Sequence, residues 1–284
     1  MREKFYNPNA EINYDVVYKS IHKQVKSYLS EHKIKGLVIG VSGGLDSGIN
    51  AAILSPICEE LGIPLIGAYI HIETNKEEER MRADMIGEQF CSKYESIDLT
   101  EAYKGLLPFI DNNDEVTTMR DKIRLGNIKA RLRMMYLYNL AHKEESIVVD
   151  NDNMTEHLLG FWTINGDVGD ITPLFSLLKT EVYDFAKYVV TLLDNNDKKK
   201  ALNSVIEAVP TDGLGITSSD VEQFGVKSYS EVDDILVHYL NDNGYDDVMN
   251  TYLYPRYGKE VVDKVISRHR NSNFKRNHPK RIFV

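Results

Sequence analysis

Residues Gly40 to Ser47 read G-V-S-G-G-L-D-S, between the apolar run Leu37-Val38-Ile39 and the apolar-periodic stretch Ile49, Ala52, Ile53. A strand, a glycine turn and then a helix make an anion cradle. Gly43 and Gly44 let the backbone turn sharply and bring its N–H groups up to a phosphate. The following helix adds its positive N-terminal end. The spacing is not that of the G-x-x-x-x-G-K-[ST] loop, and no lysine follows the glycines. A second candidate lies in Asp121 to Ala141, where Asn127 and Arg131 stand four apart on one helix face and Arg124 lies one turn earlier. An arginine there would grip a phosphate or carboxylate through its planar fork. Read alone, the same segment also suits a surface helix with scattered arginines. Further on, Asp150 to Thr163 reads D-N-D-N-M-T-E-H-L-L-G-F-W-T, followed by G-D-V-G-D, then Pro173-Leu174-Phe175 and Lys179.

Alternating strands and helices must carry these groups. The pattern predicts an amphipathic helix over Tyr14 to Ser30, a strand at Gly36 to Gly40, a helix from Ser47 to about Leu61, and a strand from Leu65 to Ile72. A charged helix follows over roughly Lys76 to Tyr94, then a strand at Glu95 to Leu99, a helix over Asp121 to His142, and a strand at Ser146 to Asp150. That order predicts an α/β fold with a parallel sheet flanked by helices on both faces, a Rossmann-like three-layer arrangement. The glycine turn would then lie at the carboxyl edge of the sheet, where open α/β folds bind ligands. Val209 to Gly225 has no helical period and reads as a long loop. No Pro/Gly linker divides the chain, so residues 1–284 are expected to form a single domain.

Composition narrows the function classes. The 284 residues are 42% apolar and carry a formal net charge of -9. That acidity opposes long-range attraction to nucleic acid or an anionic membrane. Cys58 and Cys91 are too few and too far apart for a C-x-x-C pair or a zinc site, and a reducing cytoplasm is the simple reading. No run approaches the roughly 18 apolar residues of a membrane span, and Met1 to Asn13 lacks an apolar signal core. A soluble, unexported protein is expected.

The S-G-G-L-D-S loop resembles that of the N-type ATP pyrophosphatases, which split ATP into AMP and pyrophosphate while activating a carboxylate or carbonyl. Adding G-N-I-K-A-R (126–131), T-E-x-L-L-G-F-x-T (155–163), G-D-x-G-D (166–170), Pro173 to Lys179, Pro210-Thr211 and Lys275-Arg276 narrows the resemblance to the ammonia-dependent NAD synthetases, collinear from about Tyr14 onward. The resemblance implies an adenine nucleotide α-hydrolase-like fold and amidation of deamido-NAD by ammonia, with ATP as co-substrate and Mg²⁺ as cofactor. It implies that Gly40, Val41, Ser42, Gly43, Gly44, Leu45, Asp46 and Ser47, with Asn151, Lys179 and Thr211, hold ATP. Asp46 and Glu156 become Mg²⁺ ligands. Arg131, Asp170, Phe274 and Lys275 would contact deamido-NAD, and Asp46, Lys179 and Asp167 would carry the chemistry, Asp167 orienting or deprotonating ammonium. No glutaminase domain precedes the synthetase core, which implies free ammonia. A homodimer is implied, with the helix face bearing Met134, Met135, Tyr136 and Tyr138 as a contact surface, although such stripes also build ordinary cores.

Departures from the pattern concentrate on one side. Asp150 and Asn151 stand where Gly-Thr is usual, so an ATP contact made by a threonine hydroxyl would pass to the Asn151 amide. Ile164 stands where many members place a lysine against deamido-NAD, and Phe274 where a histidine precedes Lys275. Two other readings follow: another N-type pyrophosphatase amidating or thiolating a different substrate, or a nucleotide-binding relative without turnover. Thiolation would want paired reactive cysteines and a basic surface, which this chain lacks.

Overall fold

The computed structural model describes residues 12–73, 75–111, 118–208, 221, 224–241 and 246–282. Helix α1 (Tyr14–Glu31) leads into β1 (Leu37–Gly40), α2 (Leu45–Leu61), β2 (Leu65–His71), α3 (Glu77–Phe90) and β3 (Lys93–Asp98). Then come α4 (Thr100–Ile110), α5 (Met119–Lys143), β4 (Ile147–Val149), α6 (Met154–Leu159), α7 (Lys179–Leu192), α8 (Asn196–Ile206) and α9 (Tyr229–Asn241). Short α10 (Asp246–Val248), a π turn at Met249–Leu253, and α11 (Tyr254–Tyr257) precede α12 (Lys259–Asn271) and α13 (Asn273–Arg276).

The four strands form one sheet in the order β3-β2-β1-β4. All pairs are parallel, Leu37 standing opposite both Leu65 and Ile147, and Ile66 opposite Lys93. The chain therefore winds outward from β1 through β2 to β3, then returns to the other side of β1 as β4. The crevice at the carboxyl ends of β1 and β4 is the topological switch point, the place where such sheets bind ligands.

Strand alternation feeds two cores. Leu37, Ile39, Val41, Leu65, Tyr69 and Val149 face α1, α2, α3, α7 and α8. Val38, Ile66, Ala68, Ile70 and Val148 face α4 and α5 through Tyr103, Leu132, Met134 and Leu137. These strands are apolar on both faces, as parallel strands between two helical layers must be. A third apolar cluster lies away from the sheet. It joins Leu158 and Leu159 of α6 to Val232, Ile235 and Leu236 of α9 and to Val262, Val265 and Ile266 of α12.

The expected three-layer α/β fold is therefore present. Its boundaries differ where tertiary pairing overrides helical charge patterning: α3 stops at Phe90, and Lys93 and Tyr94 pair with Ile66 and Gly67 in the sheet. Helix α4, hydrophobic on one side and closed by Tyr103 against the sheet, was not anticipated. The stripe on α5 is divided: Met134 is buried and Tyr136 donates to Glu95 Oε1 at 2.7 Å, while Met135 and Tyr138 are exposed. Among the described residues, no helix is long and apolar enough to cross a membrane.

Candidate active site

The turn after β1 is shaped by one backbone conformation. Gly43 has a φ of +79°, and a Cβ there would lie 2.0 Å from the Glu79 carbonyl oxygen of α3, so only glycine fits. Arg82 Nε donates to the Gly43 carbonyl at 2.8 Å and ties the turn to α3 from outside. Inside the turn, the Ser42 N–H donates to Ser47 Oγ at 3.2 Å, and Ser47 Oγ donates to the Gly44 carbonyl at 3.1 Å. Gly44 stands at the N-cap of α2 and supplies no side chain, so the start of this 17-residue helix keeps its N–H groups uncapped. Uncapped N–H groups on a helix beginning at a sheet's carboxyl edge form an anion site.

Asp46 is the second residue of α2, yet its carboxylate is turned to partners from other elements. Its carboxylate accepts from Asn153 Nδ2 at 2.9 Å and from the Lys179 ammonium. Lys179 also donates to Glu156 Oε1 at 3.2 Å. Glu156 is the third residue of α6, and its Oε2 accepts the Asn153 N–H at 3.1 Å while the Glu156 N–H donates to Asn153 Oδ1 at 3.1 Å. This capping box fixes the Glu156 carboxylate at the end of β4. The starts of α2, α6 and α7 thus bring residues 46, 156 and 179 together. Lys179 is 4% exposed. Burial alone would lower its pKa; Asp46, Glu156 and Tyr229 together outweigh burial and hold it well above that of an ordinary lysine. Burial and the Asp46 charge push the Glu156 carboxyl up, against the pull of Lys179.

The chain matches the NAD synthase family model over residues 17–279. It belongs to the NAD synthase family. A relative from Thermoplasma acidophilum, named NH(3)-dependent NAD(+) synthetase, is 33% identical over 173 residues, covering 61% of this chain and 63% of that protein. One of the same name from Finegoldia magna is 30% identical over 201 residues, covering 69% and 75%. The aligned stretch thus spans slightly less than two thirds of the Thermoplasma protein. In fold, the chain is similar to a Francisella tularensis NMN synthetase (TM-score 0.75, 24% identity, 96% of this chain and 99% of that one). It is likewise similar to an NH3-dependent NAD synthetase from Campylobacter jejuni (TM-score 0.69, 22% identity, 96% and 100%).

Further hydrogen bonds tie the strand ends together. Asn151 bridges the ends of β1 and β4: its Nδ2 donates to the Gly40 carbonyl at 3.0 Å, and its Oδ1 accepts from Asn50 Nδ2 at 3.0 Å. Asn50 is fully buried and its Oδ1 has no partner. Thr211 lies outside the described residues. A cavity of about 340 Å³ opens at the ends of β2 and β3, lined by Tyr69, His71, Asn75, Lys76, Arg80 and Asp98 among others. The buried Tyr69 hydroxyl there has no partner.

A second carboxylate group sits beside the first. Asp150 Oδ1 accepts the Asp152 N–H at 2.8 Å, and Asp150 Oδ2 accepts the Thr172 hydroxyl at 3.2 Å. Gly169 passes so close to this corner that a Cβ would stand 2.5 Å from the Asp150 nitrogen, which explains the second glycine of G-D-V-G-D. Asp167 Oδ2 accepts the Thr163 N–H at 3.1 Å. Burial raises the pKa of Asp167, and burial with Asp150, Glu156, Asp167 and Asp46 around it raises that of Asp152 well above the usual range.

The remaining expected substrate contacts are already engaged by the protein. Arg131 Nη2 and Nε donate to the Ile164 carbonyl at 3.2 and 3.3 Å. Asp170 accepts the Val148 N–H at 2.8 Å and the Tyr138 hydroxyl at 3.3 Å, which closes the free edge of β4. Lys275 Nζ donates to the Gly160 carbonyl at 2.7 Å and lies 5.3 Å from the Trp162 ring centre. Burial, with Arg268 nearby, lowers the Lys275 pKa to about 8. Phe274 is exposed beside it.

Sequence reasoning missed Asn153, Asn50, Tyr229 and Asp233. The N-x-x-E spacing of Asn153 and Glu156 was a legible capping box. Asp233 breaks the apolar face Tyr229, Val232, Leu236 of α9, and a lone acid on such a face was the available signal.

Proposed function

We propose that this protein is an ammonia-dependent ligase that converts deamido-NAD to NAD. In this reading the nicotinate carboxylate attacks the α-phosphate of ATP, giving an acyl-adenylate and pyrophosphate. Ammonia then adds to the acyl carbon and expels AMP. The observation that supports this most is the buried Lys179 ammonium between Asp46 and Glu156, beside the uncapped start of α2. A fixed cation at that point offsets the charge that gathers on the phosphates during displacement, without reorganising in the reaction.

Two carboxylates against one ammonium leave an excess negative charge that suits a divalent cation. Asp46 and Glu156 would hold Mg²⁺, which takes one or two carboxylates and completes its shell with phosphate and water; bound there, it would neutralise phosphate charge. Among the described residues no group of three or more His, Cys, Asp or Glu forms a metal cage. Asp167, held by the Thr163 N–H, would accept a proton from ammonium, and its raised pKa moves it toward that task. Ser42, Gly43, Gly44 and Ser47 would cradle the phosphates. Arg131, Asp170, Phe274 and Lys275 would face the pyridine nucleotide, and a homodimer could use the exposed Met135 and Tyr138.

A second reading keeps the chemistry and shortens the substrate to nicotinate mononucleotide. It is favoured by Ile164 and Phe274, which remove two polar contacts expected for a dinucleotide, and by Arg131 and Lys275 being bonded to main-chain carbonyls. The test measures pyrophosphate and amide formation from ATP and Mg²⁺ with each acid, using ammonium or glutamine as nitrogen source. Ammonium-dependent NAD formation that disappears in Asp46→Ala and Glu156→Ala supports the first reading. Turnover of the mononucleotide alone replaces it with the second, and pyrophosphate release with neither acid removes both.

A further inference from the structure

Helix α7 begins at Lys179, immediately after Leu178, which has no polar atom with which to cap a helix. Its first N–H groups are satisfied from two other helices. The Lys179 N–H donates to Thr155 Oγ1 of α6 at 2.9 Å, and the Thr180 N–H donates to Asp233 Oδ2 of α9 at 2.9 Å. The Thr180 hydroxyl donates to the same oxygen at 2.8 Å, and the Thr155 hydroxyl donates to Asp233 Oδ1 at 2.5 Å. One carboxylate therefore joins the helix that starts with Lys179 to the helix that carries Glu156. One turn before Asp233, Tyr229 sets its ring centre 5.4 Å from Lys179 Nζ. Both residues come from α9, whose apolar face belongs to the cluster away from the sheet.

A cap alone does not account for Asp233. A neutral Ser, Thr or Asn would satisfy the same N–H. Instead a carboxylate that is 3% exposed stands there, and its burial raises its pKa to about 6. By sign, a carboxyl whose folded pKa lies above its unfolded value loses stability as pH rises through that interval, so at neutral pH the charge is a cost to the fold. A costly buried charge next to an ammonium that must stay fixed has its explanation in position and field.

We infer that α9 is a positioning element of the active site: Asp233, through Thr155 and Thr180, fixes the start of α7, and the Tyr229 ring lies against the Lys179 ammonium. This rests on reading Lys179 as the cation that faces the ATP phosphates. Neither residue touches a reacting atom; both act through Lys179.

The experiment compares Asp233→Ala, Asp233→Asn, Tyr229→Leu and Tyr229→Phe, each assayed as folded enzyme well below its own thermal midpoint. Asp233→Ala is expected to lower kcat for pyrophosphate release about 100-fold with the KM for ammonium unchanged. Asp233→Asn, which still accepts from Thr180 but loses the charge, is expected to recover only part of that loss. Tyr229→Phe, which keeps the ring, should lose less activity than Tyr229→Leu, which should fall about tenfold. In a Lys179→Ala background, Asp233→Ala should cost less than about threefold more, because its effect passes through the missing ammonium. A second readout does not need turnover: acetic anhydride labelling of Lys179, followed by mass spectrometry, should rise in Asp233→Ala and not in Asp233→Asn. If Asp233→Ala lowers the midpoint but leaves kcat and Lys179 labelling unchanged, or if its full kcat loss persists without Lys179, the inference is overturned. Wild-type enzyme that releases no pyrophosphate would instead defeat the proposed reaction, and the labelling would still decide whether α9 positions Lys179.

Discussion

The two sides of the proposed active site are built differently. On the proposed nucleotide side, Asp46, Asn151, Asn153, Glu156 and Lys179 stand at the carboxyl ends of β1 and β4 or at helix starts; hydrogen bonds join Asp46, Asn153, Glu156 and Lys179 to one another and tie Asn151 to the Gly40 carbonyl. Asn50, Asn153 and Lys179 are buried. On the side expected to hold the pyridine nucleotide, Arg131 and Asp170 are exposed and Phe274 is 63% exposed. There the polar groups bind main-chain carbonyls and N–H groups of this chain. Under the proposed function, the reaction chemistry would be held by buried, hydrogen-bonded helix starts, while substrate identity would rest on surface side chains that change without disturbing the core.

The strongest way to break this contrast is to remove a charge from the rigid side. Asp46→Ala should reduce pyrophosphate release by about 1,000-fold, measured at saturating ATP; a loss of less than tenfold would show that Asp46 is not part of the chemistry. Gly43→Ala should come next. At φ +79° with Glu79 O in the way, it should cost about 2 kcal/mol of stability in denaturant unfolding and weaken ATP binding, whereas unchanged unfolding would mean the turn relaxes freely.

On the other side, Ile164→Lys is expected to lower the KM for deamido-NAD by about tenfold, in line with one charge-assisted contact, and to leave the KM for nicotinate mononucleotide alone. An equal effect on both substrates would place residue 164 away from the part that distinguishes them. The smallest effect is a pH dependence. Lys275 has its pKa lowered to about 8 by burial; its charge is therefore lost as pH rises through 8, and the KM for the pyridine nucleotide should rise above that pH. Stability runs the other way: the unfolded chain binds the extra proton between about pH 8 and the ordinary lysine value, so this group's contribution to stability increases with pH across that window. Lys275→Met should flatten both profiles, and profiles that stay unchanged would remove Lys275 from the site.

Much of the fold could be read from local pattern. The apolar runs at Leu37, Leu65 and Ile147 could only be buried strands, and the order of elements forces a parallel sheet. Helix α4 was lost because Thr100 to Ile110 mixes polar and apolar residues in a way that acquires meaning only against the sheet face that Tyr103 covers. The phosphate turn was legible because Gly43 needs a left-handed backbone, a local property that leaves glycine in the sequence. Asn50 and Asp233 were not, since nothing near them in the chain names their partners: Asn50 meets Asn151, and Asp233 meets Thr155 and Thr180.

The sequence by itself determined the strand–turn–helix cradle, the three-layer fold and the identity of the charged groups, because each follows from backbone sterics, side-chain periodicity or residue chemistry acting over a few positions. Only the tertiary structure decided that the Lys179 ammonium stands between Asp46 and Glu156, and that α9 supports it from the far end of the chain. Those contacts depend on burial, which lowers the local dielectric and makes a buried charge bearable only where partners from distant segments converge on it.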